Sequence, residues 1–362
     1  MNVKRDEFLN ALKLASLGVN NKETAAQSSF FMFIDDAIVG DNEVIHTHIK
    51  FKTGITGAVK AEELMAILGK MTAPAIEMEQ VDDSLVFKVG RSKTGLTIYP
   101  LLREKVAYLK ASDNLGKDGH GWDMVVENNT EVTIALEACA PCCSANLTNR
   151  ALSAIYLHKT GMLACDNFQA ISAQTELEML GDSDYAKGTL LLPAFAVKPM
   201  MEIGFTHLWV NQDLTCYAIN ESTHNWVMFE AIDHREIEYP DITFLFDGDG
   251  KELEFPEGFL SAVKKAEVFA KNSLKSEEVY VNISIKDNSM TVRGEGANGF
   301  YQEDFDYESN LNFAFVAAPR TLEFLLSKED CSAELVVDEE MPRIKFFNDN
   351  FTYAITIEEA GA

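Results

Sequence analysis

The sequence lacks the long apolar runs and the basic excess that would assign it to several common classes of protein. None of its apolar stretches approaches the roughly 18 residues that a membrane-spanning helix needs. The amino terminus, MNVKRDEF, has no apolar signal-peptide core, and six irregularly spaced cysteines predict free thiols in a reducing cytoplasm. Lysine and arginine number 31 against 57 aspartates and glutamates, a net charge of −26 that would ordinarily argue against a nucleic-acid partner.

A repeated pattern runs through the whole chain. Each copy has a helix with apolar residues at helical spacing, short strand-like runs separated by polar turns, a second helix and further strands. The six helix starts lie near Val3, Val59, Val132, Leu191, Leu253 and Val316. Because equivalent helices recur, the pattern predicts an α+β fold of three repeated domains, each with two helices packed on antiparallel sheet. The predicted domains are residues 1–122, 123–246 and 247–362.

The middle copy has the clearest helix boundaries, within the segment Thr189–Asp241. Pro193 is predicted at the first helical position and Gly204 just after the last one. Pro199 lies inside this helix and predicts a kink, because proline cannot donate the backbone hydrogen bond.

Motifs that suggest catalysis or metal binding are present, but none has the context that its chemistry needs. Gly294–Gly299 matches the dinucleotide fingerprint GxGxxG, yet it stands between two strand-like runs and predicts a hairpin. The CxxC pair Cys139 and Cys142 has no second pair, and His46 and His48 share a strand face without a further ligand. We therefore expect no metal or other cofactor. With no nucleophile–base arrangement evident, we also expect no enzyme activity.

The predicted helix Phe259–Asn272 has apolar residues on two different sides. The stripe expected to pack on its own sheet consists of Phe259, Val263, Ala266 and Ala270. Val268 and Phe269 lie off this stripe. Either a curved sheet wraps further around the helix, or these two residues contact another subunit while nearby lysines face an anionic partner.

Several stretches in a fixed order resemble one protein family over the full length of the chain. They are GRSKTGLTIYP (Gly90–Pro100), MLACDNFQAISAQ, TLLLPAFAVKPMMEIG, REIEYPDI (Arg235–Ile242) and NFTYAITI. With the threefold repeat, their order and spacing are similar to those of the bacterial sliding clamp, the β subunit of DNA polymerase III. The resemblance covers divergent members, and it leaves a bacterial and a phage origin both open.

The resemblance implies a closed ring of head-to-tail subunits, most simply a homodimer, that encircles duplex DNA without reading its sequence and tethers a replicative polymerase. Two or three subunits remain open. A ring holds DNA topologically and needs no tight phosphate grip, so basic residues need only line the hole. The basic residues of the candidate lining helices are Lys4, Arg5, Lys60, Lys70, Arg150, Lys198, Lys264, Lys265, Lys271, Arg320 and Lys328.

By position, the resemblance also assigns two contact surfaces. The subunit contact would pair Thr94 and Leu96 of the first domain with Val268 and Phe269 of the third. A groove between the second and third domains would accept short peptides of the polymerase and the clamp loader. The matching groove residues are Leu152, Cys165, Asn167, Phe168, Gln169, Ala170, Pro240, Phe244, Leu245, Ala354, Ile355 and Thr356.

The groove residues depart from the family pattern at three places. The usual Asp-Gly-His-Arg turn is Asp166-Asn167-Phe168-Gln169 in this chain, and Phe244 stands where the family has an arginine. The usual Met-Pro-Met tail is replaced by Thr356-Ile357-Glu358. These departures imply an altered peptide specificity.

Two other classes of function compete with the clamp at this point. An acidic clamp-like protein or DNA mimic could bind replication proteins without encircling DNA, which the net charge of −26 would suit. A hydrolase on an α+β scaffold has only the six thiols and the scattered acids in its favour. Retention on closed DNA separates the first alternative from a clamp, and metal analysis addresses the second.

Overall fold

The computed structural model describes residues 1–34, 36–102, 121–177, 189–271, 279–309, 311–327, 330–337 and 341–357. Within these residues the helices are α1 (Arg5–Ala15), α2 (Ala61–Lys70), α3 (Thr130–Cys139), α4 (Ala194–Glu202), α5 (Phe259–Ala270) and α6 (Pro319–Leu326). Short 3₁₀ turns occupy Ser16–Gly18, Ala140–Cys142 and Thr243–Phe246.

Most of the described chain between the helices is β-strand. The first twelve strands are β1 (Asn2–Lys4), β2 (Phe30–Ile34), β3 (Ala37–Asp41), β4 (Ile45–Lys50), β5 (Gly57–Lys60), β6 (Ala75–Val81), β7 (Ser84–Val89), β8 (Ser92–Thr97), β9 (Trp122–Glu127), β10 (Ala154–His158), β11 (Gly161–Cys165) and β12 (Gln169–Gln174). The next twelve are β13 (Leu190–Pro193), β14 (His207–Asn211), β15 (Thr215–Asn220), β16 (Asn225–Glu230), β17 (Lys251–Glu252), β18 (Val281–Lys286), β19 (Ser289–Gly296), β20 (Gly299–Asp306), β21 (Phe313–Ala317), β22 (Ser332–Val336), β23 (Arg343–Phe347) and β24 (Phe351–Thr356). The predicted α+β class with antiparallel sheets is confirmed.

The described chain forms two compact units, and the first contains Met1–Asn128 and Phe195–Ala231. Its sheets have the strand orders β5-β2-β3-β4-β16-β15-β14-β9 and β1-β6-β7-β8. The larger sheet joins two distant parts of the chain where β4 pairs with β16. There the ring of His48 stacks on Trp226 with centroids 4.9 Å apart, so this strand face is covered by aromatic contact.

The second unit contains Asn129–Leu177, residues 189–194 and the described residues from Ile232 onward. Its sheets have the orders β13-β10-β11-β12-β24-β23-β22-β17 and β20-β19-β18-β21. The larger sheet again joins distant segments, at the β12–β24 pair. Each unit therefore has one eight-stranded sheet and one four-stranded sheet.

Helix α5 confirms the apolar stripe that its sequence predicts. Phe259, Val263, Ala266 and Ala270 are all at most 5% exposed. The helix lies against β19 and β20, and it approaches so closely that a Cβ on Gly294 would stand 2.0 Å from the carbonyl oxygen of Ala266. Only glycine permits this helix–sheet distance.

The boundaries of α4 differ from the prediction by one residue at its start. Pro193 ends strand β13, and the helix begins at Ala194, because the chain is still paired with β10 at the proline. Gly204 has a φ of +61°, and its N–H donates to the carbonyl oxygen of Met201 at 2.9 Å. The glycine C-cap is thus confirmed. The helix runs through Pro199, which is buried.

The GxGxxG segment lies in a hairpin, as predicted. Strands β19 and β20 pair along their whole length, and Gly296 stands opposite Gly299 at the turn. With no helix following it, this segment cannot present a helix N-terminus to a pyrophosphate. Across the described residues, each helix is too short or too polar to cross a membrane.

Candidate functional site

An apolar patch in the second unit contains several of the predicted groove residues. Its buried part consists of Cys165, Ala170, Ile242, Leu245 and Ala354. The half-buried residues that pack against it are Leu152, Leu163, Tyr239, Phe246 and Met341. We call these ten residues, with the exposed rings of Phe168 and Phe244, the apolar patch. Strands β11, β12 and β24 form its base, and the segment that ends in the 3₁₀ turn Thr243–Phe246 forms one wall.

The turn between β11 and β12 presents the ring of Phe168 to solvent. The carboxylate of Asp166 accepts hydrogen bonds from the backbone N–H groups of Phe168 (2.7 Å) and Gln169 (3.0 Å). It also accepts one from the Tyr280 hydroxyl at 2.8 Å, and the Tyr280 ring meets Phe168 edge-on at 5.3 Å. Burial raises the pKa of Asp166, and these donors oppose the rise. Phe168 is therefore held in place while 38% of it stays exposed.

Gln169 supports the patch from below and does not face solvent. It is 4% exposed, and its amide donates to Asp166 Oδ2 at 2.8 Å and to the Pro141 carbonyl oxygen at 3.3 Å. The Tyr353 hydroxyl donates to Gln169 Oε1. Because every polar atom of this amide is engaged, the role of Gln169 is to position the turn. Ala170, Ala354 and Ile355 are likewise buried.

The remaining predicted groove residues lie at the rim. Asn167 and Pro240 are exposed, and Leu152 and Thr356 are half-buried. Thr356 donates to the Phe168 carbonyl oxygen from its backbone N–H at 3.0 Å and from its hydroxyl at 3.1 Å. The end of β24 is thereby tied to the turn that presents Phe168.

Arg343, which sequence reasoning missed, fixes the wall that carries Phe244. The arginine is 3% exposed and donates from Nε to the Leu245 carbonyl oxygen (2.8 Å) and from Nη2 to that of Asp247 (2.6 Å). Phe244 itself is 49% exposed. A buried guanidinium that binds backbone carbonyls holds the 3₁₀ turn without covering its outward side chain.

A cavity of about 380 Å³ adjoins the apolar patch and was also missed. Its walls include the rings of Tyr156 and Tyr239, which stack with centroids 5.2 Å apart. Leu163, Tyr239 and Ile242 belong to both the cavity and the patch. The signal for this cavity in the sequence is the run Ile237–Ile242, in which apolar and acidic residues alternate next to a proline. Only folding brings this run to Tyr156.

Four of the six cysteines, Cys139, Cys142, Cys165 and Cys216, are buried. Cys139 and Cys142 are fully buried, and burial raises their pKa values well above the usual range. Cys165 accepts a weak hydrogen bond from the Tyr239 hydroxyl at 3.6 Å. Among the described residues, no group of three or more His, Cys, Asp or Glu side chains could hold a metal ion.

The predicted subunit contact of the first domain lies on β8, an outer edge strand of a four-stranded sheet. Leu96 is 8% exposed and faces Leu85 of β7, whereas Thr94 is half-buried opposite Phe87. The segment Arg91–Thr97 contains two basic residues and no acidic residue. This edge is thus positively charged.

The predicted contact of the third domain lies beside another outer edge, strand β20. Val268 of α5 is 60% exposed, while Phe269 stacks on Tyr301 at 6.5 Å. The sheet therefore covers Phe269, as the first interpretation expects, whereas Val268 is exposed and its contact with another subunit stays a prediction. Strand β20 contains three acidic residues and no basic residue, and Phe300 on it is 58% exposed.

Most of the predicted DNA-facing cations have acidic neighbours. The ion pairs are Lys4–Glu7 (2.6 Å), Arg5–Asp6 (3.4 Å), Lys60–Glu63 (3.8 Å), Arg150–Glu236 (3.6 Å), Lys264–Glu323 (2.6 Å), Lys265–Glu303 (3.2 Å) and Lys271–Glu267 (2.7 Å). These pairs are largely exposed and contribute little stability each. They do reduce the local positive charge.

Three other predicted cations differ from this group. Lys70, Lys198 and Arg320 are exposed, and no carboxylate of the described residues lies within 4.0 Å of them. Lys328 falls outside the described residues. The six described helices together contain seven basic and nine acidic residues, so they are nearly neutral in a chain of net charge −26.

Comparison with known proteins identifies this architecture. No protein-family model matches the sequence, and the search of curated proteins finds no match. Among solved structures, the DNA polymerase III β subunit of Thermotoga maritima matches with a TM-score of 0.67 at 14% identity, and that of Streptococcus pneumoniae with 0.67 at 12%. The Helicobacter pylori β clamp bound to a DNA ligase peptide matches with 0.66 at 14%. Each alignment covers 99% of this chain and 99% of the other. Over its full length, this chain therefore has the fold of bacterial DNA polymerase III β subunits.

Proposed function

We propose that this protein is a DNA sliding clamp, a non-catalytic processivity factor that encircles duplex DNA and tethers a DNA polymerase during replication. The observation that carries the proposal is the fold likeness to β clamps over 99% of both chains. The compartment that fits this role is the cytoplasm, of a bacterium or of a phage-infected cell.

Three repeated domains, at residues 1–122, 123–246 and 247–362, would supply the arc of each subunit. The helix pairs α1 and α2, α3 and α4, and α5 and α6 occur at similar spacing along the chain and support this division. The two compact units cut across the middle domain because each eight-stranded sheet takes strands from two domains. Continuous sheets of this kind would make the domain junctions stiff.

Complementary sheet edges support a closed ring. The edge strand β8 is basic and β20 is acidic, so one copy can offer β8 to β20 of the next. Pairing would satisfy the exposed backbone groups of both edges and cover Val268. Because the two surfaces differ, the contact is head-to-tail, and repetition closes a ring when the rotation per subunit permits. A homodimer is the smallest such ring.

Helices would line the hole of this ring. Their nearly neutral charge and their ion-paired lysines support a weak hold on phosphates, which favours sliding. Lys70, Lys198 and Arg320 can attract DNA without first breaking an ion pair with a carboxylate of the described residues. The other acids of the chain lie outside these helices.

Retention on a linear duplex with two biotinylated ends tests the proposal without a clamp loader. Protein is added first so that rings thread over the free ends, and streptavidin then blocks both ends. We expect the protein to stay bound through a high-salt wash and to leave after the duplex is cut between the blocks. Blocking the ends before the protein is added should prevent retention.

The same experiment decides against the main alternative. An acidic clamp-like inhibitor or DNA mimic would bind replication proteins. Its retention on the duplex would be equally low whether the ends are blocked before or after the protein is added. The mass in solution, measured by sedimentation equilibrium, gives the number of subunits. A strictly monomeric chain would contradict the ring, since one arc cannot enclose a duplex.

The apolar patch is the proposed docking site for peptides of the polymerase and the clamp loader. The Helicobacter pylori clamp of the same fold is bound to a DNA ligase peptide, which supports peptide binding in this fold. The exposed rings of Phe168 and Phe244 on a buried apolar floor suit two apolar anchor side chains. Phe244→Ala should weaken binding of peptides that carry a Leu-Phe pair, while Phe300→Ala, on the other sheet of this unit, should not.

A further inference from the structure

The cavity beside the apolar patch has an aromatic wall and an acidic rim. Tyr156 and Tyr239 stack at an interplanar angle of 17°, and both residues line the cavity. Glu238 and Asp241 also line the cavity. No lysine or arginine is among the lining residues that the structure describes.

Of the two acids, Glu238 carries the negative charge that a bound group could use. The Asp241 carboxylate already accepts hydrogen bonds from the Thr243 hydroxyl (2.6 Å) and backbone N–H (3.0 Å). Within the described residues, no lysine or arginine nitrogen lies within 4.0 Å of Glu238.

The two arginines that form ion pairs with acids of the segment 233–236 are committed to those acids. Arg235 forms a two-pronged pair with Asp233, at 2.8 and 2.7 Å, and Arg150 pairs with Glu236 at 3.6 Å. Neither guanidinium neutralises the cavity rim. The cavity therefore offers an exposed carboxylate next to a stacked aromatic pair, and this combination attracts a cation with an apolar stem.

The cavity is continuous with the apolar patch. Leu163 and Ile242 contribute to both, and Tyr239 turns its ring to the cavity while its hydroxyl donates to Cys165 of the patch. An extended chain anchored on the patch can place a neighbouring side chain in the cavity. A volume of about 380 Å³ is large enough for a single long side chain.

We propose that the partner peptide carries a lysine or arginine beside its apolar anchors, and that this side chain enters the cavity between the Tyr156–Tyr239 pair and Glu238. The proposal rests on the peptide-docking role of the apolar patch. It gives the partner a stated chemistry: two apolar anchors and one flanking cation. In this proposed ion pair the cation belongs to the peptide and the carboxylate belongs to Glu238. Residue 244 of the patch wall is an uncharged phenylalanine.

A set of synthetic fluorescent peptides tests this with the full-length protein. Each ten-residue peptide contains a Leu-Phe anchor pair, and one flanking position at a time carries arginine, the neutral isostere citrulline or glutamate. At one flanking position we expect arginine to bind about five- to tenfold more tightly than citrulline, as measured by fluorescence anisotropy. Glutamate at that position should bind most weakly.

Two protein variants assign the effect to the cavity. Glu238→Gln should bring the arginine and citrulline peptides to equal affinity. Glu236→Gln removes an exposed acid two residues away that does not line the cavity, and it should keep the preference for arginine. Equal thermal unfolding of both variants and the parent protein checks that the fold is intact.

The outcomes separate this inference from the proposed function. If Leu-Phe peptides bind but arginine and citrulline are equal at every position, or if glutamate is preferred, the inference is wrong and the clamp proposal stands. The inference is also wrong if no Leu-Phe peptide binds. If the Glu238-dependent preference is observed but the end-blocked duplex retains no protein, the sliding-clamp function is wrong and the peptide site remains.

Discussion

The outer edges of the two four-stranded sheets differ in charge and in the exposure of their apolar residues. Strand β8 ends its sheet with a basic segment whose apolar residue Leu96 is turned into its own core. Strand β20 ends the other sheet with three acids, and Val268 of the adjacent α5 is 60% exposed. Neither edge complements itself. Each has the charge and the open backbone groups that complement the other.

In the proposed ring, these two edges are the two halves of one contact. A surface that pairs with its own copy would give a two-fold dimer that stops growing, whereas two unlike surfaces give a head-to-tail series. Every copy in such a series uses both of its edges only if the series closes into a ring. Substitutions at one edge at a time therefore separate the contributions of the two edges to self-association.

The largest effect is expected from a charge placed at the exposed helix position. Val268→Asp should weaken self-association by about a hundredfold to a thousandfold, because an unpaired carboxylate would have to be buried at a cost of about 3–4 kcal/mol. Sedimentation equilibrium measures the change. Val337→Asp is the matched control, since Val337 is 77% exposed and follows β22, which belongs to an eight-stranded sheet and not to either edge. Equal losses for both variants would mean that Val268 has no special place in the contact.

A second comparison uses one glycine from each sheet. Gly294→Ala should lower the free energy of unfolding by about 1–3 kcal/mol, because its Cβ would meet the Ala266 carbonyl oxygen at 2.0 Å and push α5 away from β19. Gly95→Ala should leave stability nearly unchanged, because a Cβ there has no closer neighbour than Val86 at 4.0 Å. Urea unfolding at a fixed protein concentration measures both. If both substitutions lowered the free energy of unfolding equally, the close packing of α5 on β19 at Gly294 would be contradicted.

Charge reversal tests the complementarity of the two edges directly. Arg91→Glu with Lys93→Glu should weaken self-association by about five- to tenfold at low salt, because about 0.2–1 kcal/mol is expected for each exposed pair. Asp304→Lys with Asp306→Lys should do the same from the other edge. Mixing the two variants should restore association between unlike chains, and added salt should reduce every difference. Failure to restore it would mean that these charges do not meet.

The smallest effect concerns the ion network of the acidic edge. The Tyr301 hydroxyl and the Lys265 ammonium hold the pKa of Glu303 below its usual value. A carboxyl with a lowered folded pKa contributes stability above its unfolded pKa, and this contribution is lost as the pH falls through the folded value. Tyr301→Phe should therefore raise the pKa of Glu303, as followed by NMR titration of its side-chain carboxyl carbon. An unchanged pKa would show that the hydroxyl is not a significant donor.

Local patterns predicted the features that depend on neighbours in sequence. The buried stripe of α5, the C-cap at Gly204 and the hairpin at Gly294–Gly299 all follow from periodicity or from glycine geometry over a few residues. The site was predicted less completely. Tyr280 and Arg343 were missed because each acts on a residue that is distant in sequence: Asp166 is 114 residues from Tyr280, and Leu245 is 98 residues from Arg343.

Taken alone, the sequence determined the α+β class, the recurring helix–strand pattern and the positions of most helices, because these depend on backbone preferences and on the side-chain period within short segments. Only the tertiary structure decided that β4 pairs with β16 and β12 with β24, that Gln169 is buried beneath Phe168, and that a cavity opens between Tyr156 and Glu238. These contacts join residues up to 186 positions apart, as for Gln169 of β12 and Ile355 of β24. No local propensity encodes such a meeting, since its energy comes from packing and hydrogen bonds that exist only after the sheets have formed.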